Sequence, residues 1–176
     1  LQKARGSAVG TPGACRAIEG GDLVDQVVMV DQSPIGRTPR ANPVTYVKAY
    51  DHIRRLFAAT PDAQERGFGA STFSFNTPGG RCETCQGSGF EKVEMQFLSD
   101  IFVACAECEG TRFRHEVLQV RYRGCTITDV LQQTVTEALA FFHETPAIRQ
   151  ALQSLQEVGL DYIRLGQPLN TLSGGE

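Results

Sequence analysis

The sequence predicts an α+β fold, and three of its features support that prediction. Segment 145–159 carries apolar side chains at helical spacing, whereas residues 92–97 alternate between polar and apolar side chains, as a half-exposed strand does. Two Cys-x-x-Cys pairs lie at 82–85 and 105–108, with 19 residues between them. We therefore expect helices together with short strands that lie close to the cysteines.

Length and composition fit a globular protein. The 176 residues are 41% hydrophobic and 21% charged, and they suffice for one sizeable core or two small units. No apolar run approaches the roughly 20 residues of a membrane span, and no N-terminal secretion signal is visible. We therefore predict a cytoplasmic protein with no membrane partner.

The N-terminal part of the chain is predicted to form loops, one strand and one helix. Residues 1–22 are rich in glycine and form a loop, residues 24–30 form a buried strand, and residues 32–45 form a loop with several prolines. Asn42, followed by a proline, starts a helix. The apolar stripe of this helix consists of Tyr46, Tyr50, Ile53 and Phe57.

The middle of the chain is predicted to contain short strands. Residues 60–72 form a loop with one helical turn near 63–66, and residues 72–75 form a strand. Residues 92–97 and 101–104 form a hairpin, and a further strand occupies 117–122.

The C-terminal part is predicted to be helical. Thr134 and Glu137 form a capping box that starts a helix ending at Phe142. A second helix follows Thr145-Pro146 and ends at Gly159, and residues 160–165 then form a short strand or turn. The apolar stripe of the second helix consists of Ile148, Ala151, Leu152, Leu155 and Val158.

The four paired cysteines predict a structural zinc site. Two Cys-x-x-Cys turns can close a tetrahedron of thiolates around one zinc ion and leave no position open for chemistry. The proposed ligands are Cys82, Cys85, Cys105 and Cys108. Two disulfides, or four unrelated buried thiols, are the alternatives. Cys15 and Cys125 have no suggestive neighbours in the sequence, and we expect them to be ordinary core or surface residues.

Glycines follow both cysteine pairs, at Gly87 and Gly89 after the first and at Gly110 after the second. Glycine at such positions lets backbone N–H groups turn toward the sulfur atoms. We therefore expect N–H groups from these glycine turns to stabilise the charge of the thiolates.

Basic residues are concentrated in two segments, although the formal net charge is −3. Segment 36–66 has six basic residues and three acidic ones, and segment 112–123 has four arginines and one glutamate. These residues form either solvated faces or a surface that contacts phosphates. Charge alone does not decide between the two.

The last residues, Leu-Ser-Gly-Gly-Glu at 172–176, combine a helix-opening serine with small residues, a pattern that favours an anion site. They resemble the signature motif of ABC-type ATPases. In that family the signature follows a Q-loop, and residues 27–31 resemble the strand that leads to a Q-loop glutamine at Gln32.

The combination of motifs resembles one family, the UvrA family of damage-recognition ATPases in bacterial nucleotide excision repair. The resemblance rests on Gln32-Ser-Pro-Ile-Gly-Arg-Thr-Pro-Arg40, Phe73-Ser-Phe-Asn76, Gly79-Gly-Arg-Cys82, the cysteine pairs, Tyr162-Ile-Arg-Leu-Gly166 and the signature. It implies a fragment of the C-terminal ATPase half, in which a helical, zinc-bearing signature domain is inserted between Q-loop and signature. The implied boundaries are 1–40 for the ATPase core, 41–165 for the insertion and 166–176 for the signature.

The resemblance also implies roles for individual residues. Gln32 would sense magnesium and the γ-phosphate of ATP, and Ser173, Gly174 and Gly175 would contact that phosphate across a nucleotide sandwich. A basic surface on the insertion would contact the DNA backbone, which a damage reader recognises by shape rather than by base identity. The candidates for that surface are Arg37, Arg40, Arg81, Arg112 and Arg114.

The resemblance implies partners as well. These are damaged double-stranded DNA, the other subunits of the excision nuclease, and a second copy of the full-length protein. Zinc would be structural, whereas ATP and Mg²⁺ would be cofactors of the full-length protein, which the family places in the DNA damage (SOS) response.

Two features depart from the family pattern. Residues 1–176 contain no G-x-x-x-x-G-K-[ST] motif, and no aspartate strand follows the signature within them. We therefore expect a fragment of a longer ATPase, with a truncated homologue as the alternative. We expect no ATP hydrolysis from this segment alone.

Two other functions remain open from the sequence. Residues 82–89 match the cysteine and glycine repeat of DnaJ-type zinc modules, which bind unfolded polypeptide. That family has four such repeats, and the second pair here is followed by an arginine, Arg112, where the repeat has glycine. A purely structural zinc domain that mediates protein contacts is the third possibility.

Overall fold

The computed structural model describes residues 14, 16, 17, 19–26, 40–95 and 101–173. The chain divides into two units, residues 1–33 and 34–176. In the first unit, Gly21–Leu23 form a single turn of 3-10 helix. Residues 24–26 of the predicted strand are irregular, and its residues 27–30 lie outside the described part.

The regular structure of the second unit is mainly helical in the ranges that the structure describes. Its helices are α1 (Pro43–Tyr46), α2 (Tyr50–Ala58), α3 (Pro61–Glu65), α4 (His115–Leu118), α5 (Ile127–Gln132), α6 (Val135–Phe141) and α7 (Pro146–Glu157). Strands β1 (Phe90–Val93) and β2 (Ile101–Ala104) pair antiparallel, with Phe90 opposite Ala104 and Val93 opposite Ile101. A 3-10 turn at Leu169–Thr171 follows α7. The α+β class is therefore confirmed.

The first predicted helix is broken into two. Asn42 caps α1 as expected, since its side chain accepts a hydrogen bond from the Thr45 N–H at 3.1 Å. Lys48 then takes a left-handed conformation with φ of 61°, which ends the first helix before α2 begins. Tyr46 therefore leaves the predicted stripe and is 62% exposed, whereas Tyr50, Ile53 and Phe57 are buried.

Helices α2, α6 and α7 pack around an aromatic core. Its largest side chains are Phe57, Phe73, Phe75, Phe113 and Phe142, all fully buried. The stripe of α7 faces this core through Ile148, Leu152 and Leu155. Val158 was expected on the same stripe but is 69% exposed. The helix has ended there, and Gly159 follows with a left-handed φ of 79°.

Two predicted strands are wrong. Residues 72–75 form turns that bury both Phe73 and Phe75, so the two side chains serve the core without belonging to a sheet. In 117–122, α4 occupies the first part, and Val117 and Val120 are buried at helical spacing. Helix α5 was not predicted, although Thr126 and Asp129 form a complete capping box at its start.

The predicted hairpin is present, and its second strand has the predicted bounds 101–104. Its first strand is Phe90–Val93 rather than 92–97, because residues 94 and 95 are irregular, and residues 96–100 lie outside the described part. Ile101, Phe102 and Val103 of β2 are each about half exposed, so neither face of the ribbon is covered by the rest of the described chain. No helix within the described ranges has both the length and the apolar character needed to cross a membrane.

Candidate metal centre and basic surface

The structure brings the four paired cysteines together. Their Sγ atoms all lie within 4.8 Å of one another, and the residues are between 0 and 7% exposed. The cluster is separate from the aromatic core, because its buried members are these cysteines alone. Among the described residues, no other group of histidine, cysteine or acidic side chains converges in this way.

The two cysteine turns, which we call the knuckles (residues 82–89 and 105–112), have the same backbone conformation. Gln86 and Glu109 have φ of 53° and 49°, and Gly87 and Gly110 have φ of 81° and 82°. The next residue but one is Gly89 in the first knuckle and Arg112 in the second, with φ of 78° and 74°. Arg112 therefore stands where the first knuckle has a glycine.

The hydrogen bonds of the knuckles repeat as well. The Cys105 N–H donates to the Gly89 carbonyl at 3.0 Å, and the Cys82 N–H donates to the Arg112 carbonyl at 2.9 Å. Ser88 Oγ donates to the Cys85 carbonyl at 2.8 Å, and Thr111 Oγ1 donates to the Cys108 carbonyl at 2.6 Å. Each knuckle thus holds the other through its first cysteine.

The predicted N–H donors to sulfur are present. The Gly89 N–H donates to Cys85 Sγ at 3.3 Å, and the N–H groups of Gly110 and Arg112 point at Cys108. Burial nevertheless raises the pKa of the Cys108 thiol to about 12, and its contact with Cys85 adds to that effect. The protonated thiol is thus favoured until a cation displaces its proton.

The cluster fits a zinc ion. A tetrahedron with Zn–S bonds of about 2.3 Å places its sulfurs about 3.8 Å apart. Cys85 Sγ and Cys108 Sγ are 3.6 Å apart, and the remaining pairs lie within the 4.8 Å limit. The four sulfurs would hold the ion, and an all-thiolate set would make its role structural.

The position of Arg112 differs from its predicted role as a DNA-contacting residue. The residue is only 6% exposed, so it belongs to the interior rather than to a surface that phosphates reach. Its guanidinium lies 5.1 Å from the centre of the Phe75 ring, and Nη2 donates to the Gly166 carbonyl at 3.1 Å. Burial lowers the pKa of the Arg112 guanidinium. Negative charge on three neighbouring groups would raise that pKa; these groups are Tyr50, Cys85 and Cys108.

The other candidate arginines differ in their accessibility. Arg114 is 47% exposed and lies 4.0 Å from Glu83 and 3.7 Å from Glu116. Arg81 is half-buried and donates to the Asn76 carbonyl at 3.2 Å and to Gln86. Arg40 is also half-buried, and Arg37 lies outside the described residues.

The candidate nucleotide-binding residues are mostly outside the described part of the chain. This applies to Gln32, Gly174 and Gly175. Cys15, predicted to be an ordinary core or surface residue, also lies outside the described residues. Ser173 is described and exposed, and Leu172 before it packs against the aromatic core.

Sequence reasoning missed the interior role of Arg112 and the partnership between the knuckles. One signal was present: the knuckles share Cys-x-x-Cys-x-Gly, so their later residues can be superposed. In this superposition Arg112 of the second knuckle is equivalent to Gly89 of the first. A left-handed backbone at a residue with a side chain costs roughly 1–2 kcal/mol, so that arginine needs a compensating contact.

Comparison with known proteins identifies relatives over most of the chain. The sequence is 57% identical over 159 residues to UvrABC system protein A of Methanothermobacter thermautotrophicus. The matched segment covers 90% of this chain and 16% of that protein. The Clostridium perfringens protein of the same name is 52% identical over 176 residues, which is 100% of this chain and 19% of that protein. No protein-family model matches the sequence.

A solved structure agrees with these relatives. The crystal structure of UvrA2 from Deinococcus radiodurans superposes with a TM-score of 0.81 at 56% identity, covering 84% of this chain and 18% of that one. The curated homologues at 52 to 57% identity are thus all UvrABC system protein A, and the chain spans less than a fifth of their length. The chain is a small α+β segment similar to one part of a UvrA structure.

Proposed function

We propose, from the similarity of this chain to one segment of UvrABC system protein A, that it serves nucleotide excision repair as the zinc-bearing, DNA-contacting part of a UvrA-type ATPase. The observation that carries this proposal is identity of 52% or more across 90 to 100% of the chain. The four-cysteine cluster supports it, because a zinc module at 82–108 is what the family resemblance implies.

The proposal retains the organisation inferred from the sequence. Residues 1–40 would belong to the ATPase core, 41–165 to the inserted signature domain and 166–176 to the signature motif. ATP and Mg²⁺ would bind the full-length protein, with Gln32 and residues 173–175 close to the γ-phosphate. The full-length protein would act in the cytoplasm as a dimer, together with the other subunits of the excision nuclease.

The DNA-contacting surface is proposed in a revised form. Arg112 is removed from it because it is buried, and the accessible Arg114 becomes its main described member. Arg81 is kept in the proposed surface because its backbone pairs with that of Phe113, the residue before Arg114. These two side chains would contact phosphates and position the knuckles on damaged duplex DNA.

Zinc-loaded protein and short DNA duplexes, with and without a bulky lesion, test this proposal. We expect tighter binding of the lesion-bearing duplex and a decline in affinity as salt rises. The double variant Arg81→Ala with Arg114→Ala should reduce the slope of log K against log salt by about 1 for each phosphate that the variant no longer neutralises. Arg149→Ala is the matched control, because Arg149 is an exposed arginine on α7, outside the knuckles.

Other results would contradict the proposal. An unchanged salt slope in the double variant would remove the surface from consideration. Preference for an unfolded polypeptide over either duplex would instead favour the DnaJ-like function. No binding to any of these ligands by a folded, zinc-loaded protein would favour a purely structural zinc domain.

A further inference from the structure

Arg112 has a buried positive charge without a carboxylate partner among the described residues. Arg112 is part of the second knuckle, where its carbonyl accepts the Cys82 N–H at 2.9 Å. In the part of the chain that the structure describes, the acidic groups whose charge would act on its guanidinium are Tyr50, Cys85 and Cys108. Tyr50 is buried and donates its hydroxyl proton to the Phe73 carbonyl at 2.8 Å, so it remains neutral. Within this set, only the cysteines can supply negative charge.

A buried cation of this kind is unfavourable unless negative charge lies close by. Within the described ranges, Nη2 has one hydrogen bond, to Gly166, and Nη1 is buried with no hydrogen-bond partner. The Phe75 ring offers a cation–π contact at 5.1 Å. Four protonated thiols would add no charge, whereas four thiolates around one Zn²⁺ carry a net charge of −2, which follows from their formal charges.

The conformation of the knuckles makes room for this one side chain. A Cβ atom at Gly89 would lie 3.0 Å from Arg112 Cγ and 2.9 Å from the Gly110 carbonyl oxygen. Gly89 and Arg112 occupy equivalent positions, so the space between the knuckles admits a side chain from only one of them. The sequence places an arginine there, in a left-handed conformation that favours glycine.

The far end of Arg112 reaches a segment that several elements share. The Gly166 N–H donates to the Leu131 carbonyl at 2.7 Å, and the Leu165 N–H donates to the Gln133 carbonyl at 2.9 Å. The Val44 N–H at the start of α1 donates to the Leu165 carbonyl at 3.2 Å. The Val135 N–H at the start of α6 donates to the Ile163 carbonyl at 3.0 Å. Residues 163–166 thus join α1, α5 and α6, and they lie shortly before the signature serine, Ser173.

We infer that Arg112 neutralises the charge of the zinc tetrathiolate and, through its bond to Gly166, makes the position of residues 163–166 depend on the metal. This inference rests on the proposed zinc site. Arg112 is thereby a positioning residue that connects the knuckles to the segment leading into the signature motif. Loss of the metal leaves its charge unbalanced and weakens its hold on Gly166.

Three variants of the full chain separate charge from shape. Arg112→Met keeps the length without the charge, Arg112→Lys keeps the charge without the planar fork, and Arg112→Gly also removes the left-handed strain. Zinc affinity is measured by competition against Co²⁺, whose visible spectrum reports tetrahedral thiolate coordination. We expect affinity to fall about 10- to 100-fold in the Met and Gly variants and less in the Lys variant.

Arg149→Met is the control for loss of one positive charge at a distance, and its zinc affinity should match that of the unmodified chain. Unchanged affinity in Arg112→Met would overturn the inference, as would equal losses in the Met and Lys variants. If the unmodified chain binds neither Co²⁺ nor Zn²⁺, the zinc site itself is wrong, which is a different failure.

Hydrogen exchange supplies a second measurement that a mere packing role would not change. In the unmodified chain, zinc should slow exchange at the Leu165 and Gly166 amides. In Arg112→Met, zinc should still slow exchange at Gly89 and Cys105 inside the knuckles but leave Leu165 and Gly166 unchanged. A zinc effect at Leu165 and Gly166 that survives in Arg112→Met would overturn the link.

Discussion

Gly87 shows how a single residue fixes the approach of the first knuckle to the core. Its φ is 81°, and a Cβ atom there would lie 1.9 Å from the Phe75 carbonyl oxygen. Phe75 is fully buried and lies beneath the Arg112 guanidinium. A side chain at residue 87 would therefore displace the backbone that supports both the core and the candidate metal centre.

The substitution Gly87→Ala should destabilise the zinc-loaded chain by about 3 kcal/mol and weaken zinc binding, because the clash adds to the left-handed strain. Gly124→Ala is a matched control, since Gly124 has φ of 82° and nothing lies within 4 Å of an added Cβ. The free energy of unfolding of the control variant should fall by about 1 kcal/mol, from backbone strain alone. Urea unfolding measures both, and equal losses would show that the close approach to Phe75 does not matter.

At the residue scale, the sequence predicted which side chains form the candidate metal site better than it predicted which side chains are exposed to solvent. The cysteine spacing identified which sulfurs converge, because ligand spacing is a local property of each turn. Arg112 was assigned to the surface since arginines are mostly exposed. Its burial depends on Phe75 and on Gly166, which lie far from it in the sequence. The knuckle pattern signals that Arg112 needs a compensating contact, but it does not identify these partners.

At the scale of elements, the starts of α1, α6 and α7 were predicted, whereas among the predicted strands only the hairpin is observed in the described residues. Thr134 and Glu137 form the predicted capping box, with the Thr134 N–H donating to Glu137 Oε2 at 2.8 Å. Capping depends on neighbours three residues apart, and the sequence shows these directly. Residues 72–75 and 117–122 alternate as strands do, but both lack a partner strand among the described residues, and the core takes their apolar side chains within turns and α4.

The capping box of α6 predicts a specific pH dependence. The hydrogen bond from the Thr134 N–H lowers the pKa of Glu137, with the Thr134 hydroxyl adding to the effect. A carboxyl whose pKa is lower in the folded state than in the unfolded state, where it is near 4.3, stabilises the folded state at pH values above the unfolded pKa. That contribution is lost as the pH falls through the folded pKa. The difference in unfolding free energy between the unmodified chain and Glu137→Gln should therefore shrink from about pH 6 to about pH 3.

Thermal or urea unfolding at several pH values measures this difference. Glu157→Gln is the control, because Glu157 ends α7, where a carboxylate faces the negative end of the helix dipole. The control should not lower stability at neutral pH. A Glu137→Gln difference that stays constant across the range would exclude the carboxylate as the capping group.

At the scale of the whole molecule, the described part of residues 34–176 contains two kinds of interior. One is the aromatic core between α2, α6 and α7, which buries large side chains and needs no ligand. The other consists of the four cysteines alone. Four sulfurs bury too little apolar surface to hold the knuckles by themselves, so the metal would supply the folding free energy there.

Metal removal should therefore act unevenly on the molecule. A chelator added to zinc-loaded protein should speed hydrogen exchange at Cys82, Gly89 and Cys105, whose amides bond within and between the knuckles. The amides of α7 should keep most of their protection, because Ile148 and Leu152 remain buried in the aromatic core.

Far-ultraviolet circular dichroism should accordingly retain most of its helical signal after chelation, and one zinc per chain should appear in the metal released. Loss of protection throughout α7 would show instead that the aromatic core depends on the knuckles. Phe75 connects the two interiors. It packs with Tyr50 in the core at 5.0 Å between ring centres and also lies under Arg112, so it is one residue through which loss of metal would reach the helices.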